Sequence, residues 1–138
     1  MNVVADTNVV VSALLWRGIP HRILTAAEAG RLTLYASPAL VDELLHVLAR
    51  TKFAARLTAR QTSAEELAHG YLNFAHLIIP PHLPPVVFED PDDDAVLACA
   101  VAARAQAIIT GDRHLLRLKE FRGIPIVLPA VFFSKILR

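Results

Sequence analysis

Four short acidic motifs are spread along an otherwise apolar chain: Asp6 in Val4-Ala5-Asp6-Thr7-Asn8, Glu43 in Ser37-Pro38-Ala39-Leu40-Val41-Asp42-Glu43-Leu44, the run Asp92-Asp93-Asp94, and Asp112 in Thr110-Gly111-Asp112. Three of them stand where an apolar strand should end or a helix should begin. Carboxylates gathered there repel one another and raise one another's pKa. A hard divalent cation such as Mg²⁺ or Mn²⁺, which prefers oxygen ligands, would resolve that conflict. The chemistry such a set can do is metal-dependent hydrolysis. Other chemistries find less support. The six histidines lack paired ligand spacing, Cys99 has no partner cysteine, and no glycine-rich nucleotide-binding motif occurs.

For these acids to converge, the intervening elements must return to one edge. The pattern alternates strand and helix. Residues 2–5 read as a buried strand, followed by a helix over 7–15 capped by Thr7 or Asn8. Residues 19–29 form a helix with Pro20 in its first turn and Gly30 as its stop. A second strand covers 32–36. Ser37 then caps a helix with Pro38 at its first position and Leu40, Val41, Leu44, Leu45 and Leu48 at helical spacing. Residues 50–60 read as a short helix or turn, 63–74 as a helix, and 77–79 as a strand ended by Pro80-Pro81. A proline-rich loop over 82–85 leads to an extended segment at 86–88. Asp92 or Asp93 caps a helix to about residue 103, with Asp90 shaping the turn before it. A strand over 107–109, a short helix over 112–118, a last strand over 124–128 and a terminal helix over 130–137 complete the chain.

Strands separated by helices imply an α/β fold of three layers, α/β/α, around a central, mainly parallel sheet. Ligands of such sheets bind beyond the carboxyl ends of the strands. Asp6 and Asp112 follow strands, Asp93 and Asp94 open a helix, and Glu43 lies early in the helix after the second strand, so all of them can meet at that edge.

The 138 residues fit one domain, 1–138, and 54% hydrophobic content with no low-complexity tract argues against disorder. A single cysteine inside an apolar run suits a reducing cytoplasm. The N-terminus shows no basic signal-peptide region, and no apolar run is long enough to span a bilayer, so no membrane association is expected. The net charge of +1 says little, but its placement says more. Arg50, Lys52, Arg56 and Arg60 fall together, as do Arg113, Arg117, Lys119 and Arg122. Basic segments flanking an acidic pocket suit a metal enzyme acting on a polyanion. They equally suit solvated helix faces.

The ordered motifs resemble the PIN-domain family, and among its members the VapC-like toxins of toxin-antitoxin systems. Val4-Ala5-Asp6-Thr7-Asn8-Val9 is similar to the family's first acidic motif and the segment ending at Glu43 to its second. The stretch from Asp90-Pro91-Asp92-Asp93-Asp94 to Ile109-Thr110-Gly111-Asp112 is similar to the third and fourth. The resemblance implies a PIN-like fold and a Mg²⁺- or Mn²⁺-dependent ribonuclease hydrolysing RNA phosphodiester bonds. By the same resemblance Asp6, Glu43, Asp93, Asp94 and Asp112 are the catalytic and metal-binding acids, with the third acid either Asp93 or Asp94. One or two ions would sit there, and Thr7, Asn8 and Thr110 would orient ligands or touch phosphate. A cognate antitoxin and a homodimer are implied partners.

Taken singly, each motif has a plainer reading: Asp6-Thr7-Asn8, Asp92 to Asp94 and Asp112 as helix caps, and Glu43 as a first-turn acid favoured by the helix dipole. Two other classes compete with the whole. A catalytically inactive PIN-like interaction module would usually have lost an acid, and all four are present. A Mg²⁺-binding receiver-like or phosphatase-like domain would need a lysine after a late strand or a second aspartate at the place of Asn8.

Overall fold

A computed structural model describes residues 1–86 and 90–137. Its centre is a six-stranded sheet in the order β3-β2-β1-β4-β6-β5. The strands are β1 (Asn2–Ala5), β2 (Thr33–Ala36), β3 (His76–Leu77), β4 (Ala107–Ile109), β5 (Glu120–Phe121) and β6 (Ile124–Val127). All neighbours pair in parallel except β5 with β6. The helices are α1 (Thr7–Leu15), α2 (Ile19–Glu28), α3 (Pro38–Leu48), α4 (Ala54–Ala59), α5 (Ala64–Leu72), α6 (Pro91–Ala102), α7 (Arg113–Leu116) and α8 (Pro129–Val131). The expected α/β/α layering is what the chain adopts.

Alternation along the strands makes the layers. Val3, Ala5, Ala107 and Ile109 face one core, shared with α1, α2 and α5, while Val4 and Ile108 face the other, against α6 and Leu115 of α7. Both faces are buried, so the strands read as unbroken apolar runs. Each fully buried Val, Leu or Ile contributes roughly 1.5–3 kcal/mol over an exposed one, which makes these short strands costly to disrupt. Helix α3 feeds both cores: Leu40 packs on the α6 side, and Leu44, Val47 and Leu48 on the other. It starts at the carboxyl end of β2, where the Ser37 hydroxyl accepts from Leu40 N at 3.3 Å.

Several local expectations are corrected. Helix α1 is capped at the Asp6 position, with no side-chain cap at all, because the Asp6 carboxylate is engaged elsewhere. Asp90, rather than Asp92 or Asp93, caps α6, its Oδ1 accepting from Asp92 N at 3.0 Å. The strand expected over 77–79 contains only His76 and Leu77, prolonged by the bond from Ile78 N to Ala36 O. The terminal helix over 130–137 is α8 followed by a π-helical turn, Phe132–Ile136. Hairpin β5–β6 was not anticipated. Its two-residue turn has Arg122 at φ 50° and Gly123 at φ 81°, the left-handed pair that a tight hairpin of matching twist requires. The extended segment expected at 86–88 falls mostly outside the described residues.

Among the described residues no helix is long and apolar enough to cross a membrane. Cys99 is fully buried, and burial pushes its thiol up to about 12, so it behaves as a small apolar side chain.

Candidate metal centre

The carboxyl edge of β1 and β4 carries the site. Ala5 and Ile109 are register partners, so the residues that follow, Asp6 and Thr110, leave adjacent strands side by side. Asp6 N donates to Ile109 O at 2.9 Å, which holds the turn into α1 against β4. Thr110 is fully buried. Its hydroxyl donates to Asp6 Oδ2 at 2.7 Å and accepts from Asp112 N at 2.9 Å. Asp112 caps α7 through Oδ1, accepting from His114 N at 2.7 Å and Leu115 N at 3.4 Å. Asp93 enters from the first turn of α6, which Pro91 opens and Asp90 caps.

Oxygen atoms of Asp6, Asp93 and Asp112 lie within 4.8 Å of one another. Asp6 and Asp93 are almost wholly buried, at 5% and 3% exposure, so water does little to screen their mutual repulsion. Asp93 Oδ2 is buried with no hydrogen-bond partner among the described residues, the plainest sign of an unmet electrostatic demand. The Asp93 carboxyl is pushed up to about 8, first by burial, then by the charges of Asp112, Asp90 and Asp6 and by a hydrogen bond with Asp112 that favours the proton. Asp6 is raised too, mainly by burial. The Thr110 hydroxyl and the Thr7 backbone counteract that rise, and Asp112 and Asp90 add to it.

Glu43 stands beside this trio rather than within it. Its Oε2 is buried without a hydrogen-bond partner among the described residues, as is the Thr7 hydroxyl. Burial raises the Glu43 carboxyl, the Asp92, Asp6 and Asp90 charges add to that, and the nearby Thr7 hydroxyl offsets part of it while lying outside hydrogen-bond geometry. Glu43 also lines an open groove of about 400 Å³ with Ala39, Asp42, His46, Val47, Arg50 and Asp92.

Asp94 is not brought into the trio. It lies about 100° further round α6 than Asp93, and its Oδ1 accepts from Val86 N at 2.9 Å, tying down the proline-rich loop. Asn8 is exposed on the second residue of α1. Of the basic residues expected along the approach, Arg50 borders the groove, whereas Arg56 bonds Leu15 O at the far end of α1. Sequence reasoning took Asp92 for a helix cap and passed over His46, and both share the groove with Glu43. The signal was available for His46, since Glu43 and His46 stand at i and i+3 on α3, with Arg50 two residues past the helix end.

A family model for the PIN domain matches residues 2–114. Among solved structures, the chain is similar to VapBC2 from Rickettsia felis, determined bound to a DNA fragment from its promoter. The two share 15% identity over 93% of this chain and 98% of that chain, with a TM-score of 0.62. At that identity the likeness is one of fold. No curated protein matches the chain. The PIN model spans all four acidic motifs, and the chain belongs to the PIN domain family.

Proposed function

We propose that this chain, as one domain over 1–138, is a metal-dependent ribonuclease acting as the toxin of a toxin-antitoxin pair. The observation that carries the reading is the Asp6, Asp93 and Asp112 trio, whose oxygens gather within 4.8 Å while Asp93 Oδ2 has no hydrogen-bond partner among the described residues. The donor set is all carboxylate oxygen, the preference of Mg²⁺ or Mn²⁺. A divalent cation held by these three residues would supply Lewis acidity toward a phosphodiester.

The chain's own groups do the rest. Thr110 holds Asp6 in one rotamer and the Asp112 backbone in one position. Glu43, with a raised pKa and a free buried oxygen, stands where it can take a proton from an attacking water or hold a second ion. The Thr7 hydroxyl lies beside Glu43 and is itself available to an ion's water or to phosphate. Arg50 borders the groove that leads away from Glu43 and would meet backbone phosphates. Asp94 supports the adjoining loop rather than the ion.

The structural likeness to VapBC2 supports an antitoxin as a partner, and exposed Leu77 and Ile79 at the β3 edge of the sheet supply apolar surface for a second copy. A lone buried cysteine accords with a cytoplasmic setting. The test is incubation of the purified protein with single-stranded RNA in Mg²⁺, Mn²⁺ or EDTA. Cleavage in either metal and none in EDTA is expected. Induced expression should arrest growth, and where a small upstream reading frame with a DNA-binding pattern is found, its co-expression should restore growth.

A further inference from the structure

Helix α1 begins at the acids and ends nine residues later in a second cavity that the chemistry above does not use. At 1.5 Å per residue its far end lies about 13.5 Å from its start. That cavity, about 370 Å³, is lined by Trp16, Arg17, His21, Arg56, Ala59 and Arg60, with no acidic residue among them. In a chain of net charge +1, three arginines and an imidazole around one hollow are a strong local concentration of positive potential.

The pocket is organised before any ligand arrives. Arg56 Nε donates to Leu15 O at 2.9 Å, and Arg60 Nη1 donates to Leu14 O at 2.9 Å and Leu15 O at 3.1 Å. These bonds satisfy the carbonyls at the end of α1 and hold both guanidinium groups in place. His21 Nδ1 lies 3.0 Å from Ala13 O, so its ring is oriented as well. The Arg56 guanidinium lies 5.5 Å from the centre of the Trp16 ring, and Phe53 meets that ring edge-on at 5.9 Å. Trp16 is nevertheless 42% exposed, so one part of the indole remains open to the solvent side. An indole held by an edge contact and flanked by fixed arginines is a stacking platform for a base with phosphate donors beside it.

A path joins this platform to the acids. Asn8, exposed, and Ser12, half-buried, lie four residues apart on one face of α1, and the exposed Trp16 follows directly after the helix ends at Leu15. We propose that the pocket of Trp16, Arg17, Arg56 and Arg60 is a binding subsite for single-stranded RNA, taking a base and its phosphate one α1 length away from the cleavage site. This rests on the ribonuclease reading. It assigns to the substrate a single-stranded stretch of several nucleotides, since a duplex cannot offer an unstacked base to the indole.

Trp16 is the only tryptophan in the chain and therefore reports on its own pocket. The probe is an unstructured RNA oligonucleotide of about twelve nucleotides, within the span such channels cover, titrated in EDTA so that no strand is cut. Binding is followed by tryptophan emission and independently by anisotropy of a labelled RNA. Emission is expected to quench in step with binding. Trp16→Leu and, separately, Arg17→Gln are each expected to weaken Kd by on the order of tenfold. Neither replaces the arginines that cap α1, and circular dichroism checks the fold. With Mn²⁺, the advantage in kcat/KM of the long RNA over a dinucleotide should shrink about as much in each variant.

Saturable binding with unchanged emission and unchanged Kd in both variants would overturn the subsite. So would quenching by an acidic peptide but not by RNA, which would assign the pocket to a protein partner. Wild-type cleavage of RNA alongside a silent Trp16 removes the subsite and leaves the ribonuclease reading standing. Absence of any cleavage with Mg²⁺ or Mn²⁺ removes both.

Discussion

The Thr110 hydroxyl and the Asp6 carboxylate, 104 residues apart in the chain, meet at 2.7 Å at the joined ends of β1 and β4. A hydroxyl has one proton, and this one goes to Asp6. The same oxygen must therefore accept from Asp112 N, as it does at 2.9 Å. One buried atom thus sets the positions of two acids.

Replacing Thr110 by Val keeps the volume and removes this atom. The Asp112 N–H and the Asp6 carboxylate lose their partner, at an expected cost of about 1–3 kcal/mol in a urea denaturation. RNA cleavage should fall along with Mn²⁺ affinity. Thr110→Ser, which retains the hydroxyl, should recover most of both.

Asp6→Asn and Asp112→Asn should each abolish metal-dependent cleavage without unfolding the protein. Asn keeps an oxygen that can accept from Thr110 or cap α7, so the hydrogen bonds persist while a charge is lost. Relief of repulsion should leave the melting temperature of the metal-free protein equal or higher, by up to about 3–5 °C for each kcal/mol relieved. Thermal scans in EDTA check this.

The raised pKa values fix the sign of a pH effect. Burial and the charges of Asp112, Asp90 and Asp6 push the Asp93 carboxyl up to about 8 in the fold, far above an ordinary carboxylate, so the folded state holds a proton that the unfolded state releases. That contribution is fully present below the unfolded pKa and is lost as pH rises through the folded one. Asp6 and Glu43 act in the same direction. The metal-free protein should therefore melt at a higher temperature at pH 5 than at pH 8. Mn²⁺ competes with the proton for the same oxygens, so saturating metal should stabilise the protein more at pH 8 and flatten or reverse this slope.

Arg50 borders the groove beside Glu43, and Arg113 is exposed directly after Asp112. If both contact phosphates, the Arg50→Ala, Arg113→Ala double variant should bind RNA more weakly, with the slope of log K against log salt reduced by at most about 1.4, roughly 0.7 for each single-strand phosphate contact. Mn²⁺ affinity should stay near that of the wild type. Identical salt slopes would mean that these side chains only solvate helix faces.

Much of the layered fold could be read from the chain, since β1, β4 and α3 have patterns that only one structure suits. Val4 and Ile108 lie between residues facing the opposite core, so both strands read as continuous apolar runs, and Ser37-Pro38 announces a helix start. What escaped depended on short or context-dependent features. Strand β5 has two residues and is made by the backbone of Arg122-Gly123, a dipeptide without the Asn or Asp that usually marks such a turn. Asp90 took the cap of α6 because Pro91 occupies the first helical position, which places Asp93 in the third and turns it inward. A one-residue difference of this kind leaves no trace in periodicity, yet it separates Asp93 from Asp94. The meeting of Thr110 with Asp6 is a consequence of strand register, which the spacing of the motifs does not contain.

The most direct test of the metal centre uses that one-residue difference. Asp93→Asn and Asp94→Asn are compared with wild type for Mn²⁺ binding by calorimetry and for cleavage of single-stranded RNA in Mn²⁺. The expected result is that Asp93→Asn loses both, while Asp94→Asn retains metal binding and cuts RNA, with at most about 1 kcal/mol of stability lost at its bond to Val86 N. Wild-type protein that binds no Mn²⁺, or Asp93→Asn protein that still binds it and cleaves RNA at the wild-type rate, would contradict the account.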